Sequence, residues 1–194
     1  MLYYASHLID YSMFLTGKDR VAWVTGHIHG RGKLEDEFGH PSPEYLLARY
    51  AFNDGTEGIL ECGPLAPDLP PGGNEFWMDA GVTVLGTRGY VQVVAASGLW
   101  AQTCDERELI RVDAHFDVTK DQPPYIRELA DWLDDDSRPH CCNGDHAFHS
   151  FEVFMGACLS SLDRRPVLLP LTADDDILAR MRKELPDVKE EVKP

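Results

Sequence analysis

Apolar side chains recur at helical spacing in residues 4–16 (YASHLIDYSMFLT). Leu8, Ile9, Met13 and Phe14 stand among polar positions, and Gly17 sits where a helix stop belongs. The pattern then changes to short, β-branched and aromatic runs at 20–29, 45–53, 56–62, 76–85, 89–95, 98–104 and 108–116, which read as strands. Asp54-Gly55 and Thr87-Arg88 mark tight turns between them, and the segments 30–43 and 63–74, dense in Gly and Pro, read as loops. Helical spacing returns at 122–135, with Ile126, Leu129, Ala130 and Leu133 on one side, and again at 145–161. Residues 166–171 (PVLLPL) form a short apolar extension, and 174–194 read as a charged, peripheral tail. The predicted fold is α+β: an open, mainly antiparallel sheet of six or seven strands with helices on one face. A single domain is expected over residues 1–171, followed by a tail over 172–194.

Composition narrows the class. The chain has 194 residues, 43% hydrophobic, with 18 basic and 33 acidic side chains for a net charge of −15. The apolar content excludes wholesale disorder. The acidic balance argues against a nucleic-acid partner or a polybasic membrane contact. No apolar run approaches the roughly 20 residues that span a bilayer. Five scattered cysteines, an odd number, fit reduced thiols and a cytoplasmic setting better than a disulfide framework.

Candidate chemistry is sparse. Gly30 and Gly32 form a GxG, but Glu35 stands where a third glycine would complete a dinucleotide fingerprint, and no nucleoside-triphosphate loop occurs. His7 and Asp10 lie three apart on the first predicted helix and so share a face. There a carboxylate can orient an imidazole that serves as a general base. A second cluster, His140-Cys141-Cys142-Asn143-Gly144-Asp145-His146 with His149, carries zinc-type ligands. It lacks paired CxxC spacing, and adjacent cysteines chelate one ion awkwardly, so no metal ligands are assigned. Asn143 or Asp145 suits a helix N-cap. Phe148, Phe151 and Phe154 read as core, Cys158 as an inert buried thiol, and Ser160-Ser161 lack a nucleophile-elbow context.

The order of elements is more telling than any single motif. SHLIDYSMFLTG resembles the helix that opens the C-terminal domain of the Gfo/Idh/MocA oxidoreductases. FNDGTEGILE is similar to that family's F-x-[ND]-G-x-x-G hairpin, and VLGTRGYVQV to its GTxG turn. YIRELADWL, NGDHAFHSFEVFMGACLSS and RRPVLLPL resemble its closing stretch, so the likeness covers about residues 3–171 in family order. The resemblance implies a substrate-binding and oligomerisation domain acting on a sugar, cyclitol or related polyol. NAD or NADP would be bound mainly by a Rossmann domain not present in this chain, supplied upstream or in trans. The family's catalytic lysine belongs to that other domain. The resemblance implies that His7 is the catalytic histidine, with Asp10 beside it, and places Tyr3 and Tyr4 at the substrate. Tyr3 stands where the family often has aspartate, and Ala5 where glycine is usual.

Two other classes compete: a non-redox module that binds a carbohydrate-like ligand or only oligomerises, and a metal-dependent lyase or hydrolase using the 140–149 cluster. With helices on one face, the sheet's other face is expected to carry Tyr50, Phe52, Ile59, Val91 and Val93. It would then be covered in at least a dimer, or by the cofactor domain.

Overall fold

A computed structural model describes residues 2–31, 43–63, 81–94, 98–105, 108–113, 118–172 and 176–187. Helix α1 (Leu2–Thr16) opens the chain. Seven strands follow: β1 (Val21–His29), β2 (Tyr45–Phe52), β3 (Glu57–Cys62), β4 (Gly81–Gly86), β5 (Gly89–Val94), β6 (Gly98–Thr103) and β7 (Ile110–Val112). Then come α2 (Val118–Asp134), α3 (Gly144–Asp163), β8 (Val167–Leu168) and α4 (Ile177–Glu184). The strands form one sheet in the order β7-β6-β5-β4-β3-β2-β1-β8, with every neighbouring pair antiparallel. The expected architecture is therefore present. The eighth strand comes from the PVLLPL segment, which adds Val167 and Leu168 to the edge of β1.

Helix α1 buries Ala5, Leu8, Ile9, Ser12 and Met13, an i, i+3, i+4, i+7, i+8 stripe, against the sheet. Gly17 ends it at φ +63°. Its N–H donates to the Phe14 carbonyl at 3.2 Å, and the Lys18 N–H reaches the Met13 carbonyl at 3.0 Å, the paired closure of a left-handed cap. Asn143 caps α3, its Oδ1 accepting from the Asp145 and His146 N–H groups at 3.0 and 3.1 Å. Helix α3 crosses β1 so closely that a Cβ on Gly26 would stand 2.1 Å from the Ala157 carbonyl oxygen. Ser160 and Ser161 use that proximity: their hydroxyl oxygens accept from the Gly26 and Ile28 N–H groups at 3.0 and 2.9 Å. Both serines thus satisfy the edge of β1 rather than carry chemistry.

Several expectations need correcting. Tyr50 and Phe52 lie on the helix-covered face, buried to 0% and 3% exposure, not on the open one. Register explains why: directly paired residues of antiparallel strands share a face. Tyr50 pairs with Gly58, and Val84 with both Gly58 and Val91. Val82 pairs with Val93, which packs against the core cluster. Of the five residues expected on the open face, Ile59 alone is there, paired with Arg49 and Thr83. The turn after β2 is longer than the two-residue reading, running from Asn53 to Thr56 with Gly55 at φ +84°. Helix α2 starts at Val118 and takes Pro123 and Pro124 inside its span rather than beginning near them. Part of the stretch read as a peripheral tail is packed: Asp176 caps α4, and Ile177, Met181 and Leu185 join the core. The strand expected from residue 76 is seen from Gly81 onward, and residues 76–80 lie outside the described residues, as do 114–116 of the last one. Among the described residues no helix is long and apolar enough to cross a membrane.

Candidate functional site

His7 lies on the exposed side of α1, in register with Tyr11 and Phe14, which are 44% and 65% exposed. Asp10 is one turn further on and half-buried at the seam between α1 and α3. Its carboxylate meets the turn that precedes α3: the Cys142 thiol donates to Oδ2 at 3.8 Å, and the Ser150 hydroxyl lies 3.5 Å from Oδ1. That hydroxyl donates principally to the His146 carbonyl at 2.8 Å. Burial raises the Asp10 carboxyl above its ordinary value; the charges of His146 and His7, then Cys142 and Ser150, pull it back down. The fold thus gathers His7, Asp10, His146, Cys142 and Ser150 around one carboxylate.

Helix α2 completes the neighbourhood. The buried His140 ring packs edge-on against Tyr125 with centroids 4.5 Å apart, and stacks against Trp132 at 6.5 Å. Its Nδ1 accepts from the Cys142 N–H at 3.1 Å, and Nε2 faces the Tyr125 carbonyl at 3.3 Å. The proton therefore belongs on Nε2, and His140 holds the 140–143 turn against α2. The Tyr125 hydroxyl is raised above its ordinary value by burial first and by the Cys142 thiol next.

The 140–149 cluster does not act as one unit. His149 is buried and committed to structure. Its Nε2 accepts from the Val21 N–H at 2.8 Å, and Nδ1 donates to Glu152 Oε2 at 2.9 Å. Glu152 Oε1 in turn accepts from the Leu171 N–H at 2.8 Å. His146, three residues earlier, faces Asp10 instead. Tyr3 and Tyr4 fall in the first turns of α1, and their side chains lie outside the described residues. A separate hollow of about 400 Å³ lies at the far end of α1, lined by Leu15, Thr16, Arg88 and Thr103 among others, and includes none of the candidate residues. It starts about 12 Å along the helix from His7.

Sequence reasoning missed Cys142, Ser150 and Tyr125 as neighbours of Asp10. The contacts cross 132 and 140 residues for the first two, and no local spacing encodes them.

The sequence matches no protein-family model and no curated protein. Solved structures do match in fold. The WlbA dehydrogenase from Bordetella pertussis, in complex with NADH and UDP-GlcNAcA, aligns at 20% identity and TM-score 0.51, over 86% of this chain and 44% of that one. The aldose-aldose oxidoreductase from Caulobacter crescentus, complexed with glycerol, aligns at 13% identity and TM-score 0.59, over 85% and 46%. An oxidoreductase from Agrobacterium radiobacter in complex with NAD+, L-tartaric acid and magnesium aligns at 15% and 0.57, over 84% and 47%. This is the fold of the C-terminal domain of Gfo/Idh/MocA-type oxidoreductases. The chain spans about half the length of these relatives. Within the Gfo/Idh/MocA fold seen here, all described strand pairs are antiparallel, so the described residues offer no parallel strand–helix–strand crossover to cradle a dinucleotide.

Proposed function

We propose that this chain is the substrate-side domain of an NAD(P)-dependent oxidoreductase acting on a sugar, cyclitol or related polyol, with His7 as the base for the substrate hydroxyl. The observation that carries the reading is the placement of His7: exposed on α1, beside the half-buried Asp10, in a Gfo/Idh/MocA-type fold. In this reading the imidazole accepts the hydroxyl proton and Asp10 orients it, while Tyr3 and Tyr4 contact substrate from the preceding turn. The cofactor, NAD or NADP, is held by another domain and accepts the hydride when bound there.

The exposed apolar residues of the helical layer support such a partner. Tyr11 and Phe14 of α1 leave large side chains in water on the side of His7, and so do Phe148 and Phe151 of α3, which were expected in the core, where of the three only Phe154 is buried. The open face of the sheet supports a second contact, a homodimer. Ile59, Leu47 and Leu85 lie there, next to Arg49, which binds Glu57 through two bonds of 2.6 and 2.7 Å and covers the Trp23 ring at 5.5 Å.

The test is turnover of a polyol panel by the chain joined with the cofactor domain that completes it, recording nicotinamide reduction. His7→Ala is expected to lower kcat by 10²–10⁴-fold at unchanged fold. Full activity in that variant overturns the role of His7. Tight NAD(H) binding by this chain alone overturns the division of labour.

A further inference from the structure

His140, His146 and His149 stand close together around the start of α3, and their rings are used differently. His140 and His149 have both ring nitrogens engaged, the first by the Cys142 N–H and the Tyr125 carbonyl, the second by the Val21 N–H and Glu152. His146 is half-buried, and among the described residues its ring nitrogens enter no hydrogen bond. Its backbone is committed: the N–H donates to Asn143 Oδ1 at 3.1 Å, and the carbonyl accepts the Ser150 hydroxyl at 2.8 Å. The helix itself gains nothing from an imidazole there. His146 is the third helical residue after the Asn143 cap, and a cation in the first turn opposes the helix dipole. What the position does offer is a place opposite Asp10. Cys142, His146 and Ser150 follow one another at four-residue spacing, and the outer two hold the Asp10 carboxylate. Cys142 Sγ lies 3.8 Å from Oδ2, and Ser150 Oγ lies 3.5 Å from Oδ1. His146 is the middle member of that row, and its charge acts on Asp10 more strongly than that of His7, which lies on α1 itself.

We propose that His146 is a positioning residue of this site, bracketing the Asp10 carboxylate from α3 as His7 does from α1. The proposal rests on the reading of His7 as base, and it supplies what that reading needs. Asp10 can orient an imidazolium only as a carboxylate, and its half-buried place between α1 and α3 works against the charge. The Cys142 thiol and the Ser150 hydroxyl each give it a neutral donor, and the Tyr125 hydroxyl of α2 bears on it through Cys142. Among the described groups that face Asp10, only the two imidazoles can bring a positive charge. The proton that His7 takes from a substrate hydroxyl then leaves an imidazolium beside a carboxylate that is already ionised. His146 acts through Asp10 and takes no part in making or breaking bonds.

Carboxyl ¹³C NMR titration of the full chain labelled at aspartate, with Asp10→Asn assigning the signal, tests this without turnover. In His146→Gln the Asp10 titration midpoint should move up, and by more than in His7→Gln; in His146→Lys it should return to or below the unmutated position. His27→Gln, at an exposed position of β1, should leave it in place. Glutamine suits the third helical position, so the His146→Gln chain should melt no lower than the unmutated one. In the chain joined with its cofactor domain, His146→Gln should lower kcat about tenfold with KM unchanged and move the acid limb of the pH profile upward. His146→Lys should recover both. An Asp10 midpoint that stays put in His146→Gln overturns the proposal, as does a shift that His146→Lys does not reverse. Unchanged kcat and pH profile in His146→Gln overturn it as well. A joined enzyme in which His7→Ala stays fully active overturns the role of His7 and not the bracketing of Asp10, which the titration alone decides.

Discussion

Asp10 is the residue where position and ionisation conflict. Burial between α1 and α3 holds its carboxyl above the ordinary 3.8, and the neighbouring imidazoles only partly offset this. A carboxyl with a raised pKa ionises less readily in the folded chain than in the unfolded one. Its charge therefore subtracts from stability at pH values above the folded pKa and subtracts nothing below 3.8. Asp10→Asn is expected to raise Tm near neutral pH, with the gain disappearing as the pH falls below the ordinary carboxyl value. Melting curves across that pH range check the sign; a variant that is less stable near neutrality contradicts the argument. His149 is the opposite case: an equally suggestive residue type, with both ring nitrogens consumed by Val21 and Glu152.

Elements are positioned by close approach as much as by apolar pattern. Helix α3 lies on β1 because Gly26 has no side chain, and because Ser160 and Ser161 supply oxygens to strand N–H groups at that edge. Gly26→Ala puts a methyl against backbone rather than against a side chain that can turn away. It is expected to destabilise the fold by about 3 kcal/mol, seen as a lower urea midpoint. A midpoint unchanged within error contradicts the close packing. The same logic applies at Gly58, where the Tyr50 ring occupies the space of a side chain and its hydroxyl donates to Ser12 at 2.7 Å. Helix α2 is placed differently: its residues are mostly exposed, with Leu133 at 77%, and it is anchored through the His140 turn. That anchoring brings Tyr125 and Glu128 to the cysteines.

At the scale of the whole molecule, a one-sided helical layer leaves an open sheet face. Its central strands carry alternating apolar and charged positions rather than a continuous apolar surface, with Ile59 between Arg49 and Thr83. Ile59→Arg would place a cation at the middle of the proposed dimer, where like charges from two copies meet. Sedimentation is expected to show a dimer for the unmutated chain and a monomer for the variant at the same concentration, with unchanged helical circular dichroism. A monomeric unmutated chain rules out the homodimer.

Local pattern was sufficient for the first helix, the third and most of the strands: helical spacing along 4–16 and 145–161, strand-like runs between them, and Gly17 and Asn143 at helix ends. These are short-range consequences of backbone geometry, side-chain alternation and capping, whereas the short strand at Val167–Leu168 and helix α4 form only where the chain docks on β1 and α3. The pairing of His7 with Asp10 was legible for the same reason, because a helix turn fixes it. Which face of the sheet Tyr50, Phe52, Val91 and Val93 occupy was not legible, since a strand's alternation leaves the choice of side to the packing of α1 and α3. The meeting of Asp10 with Cys142 and of Glu128 with Cys141 was equally hidden. Those contacts depend on the docking of whole helices, and only the tertiary structure decides where helices dock.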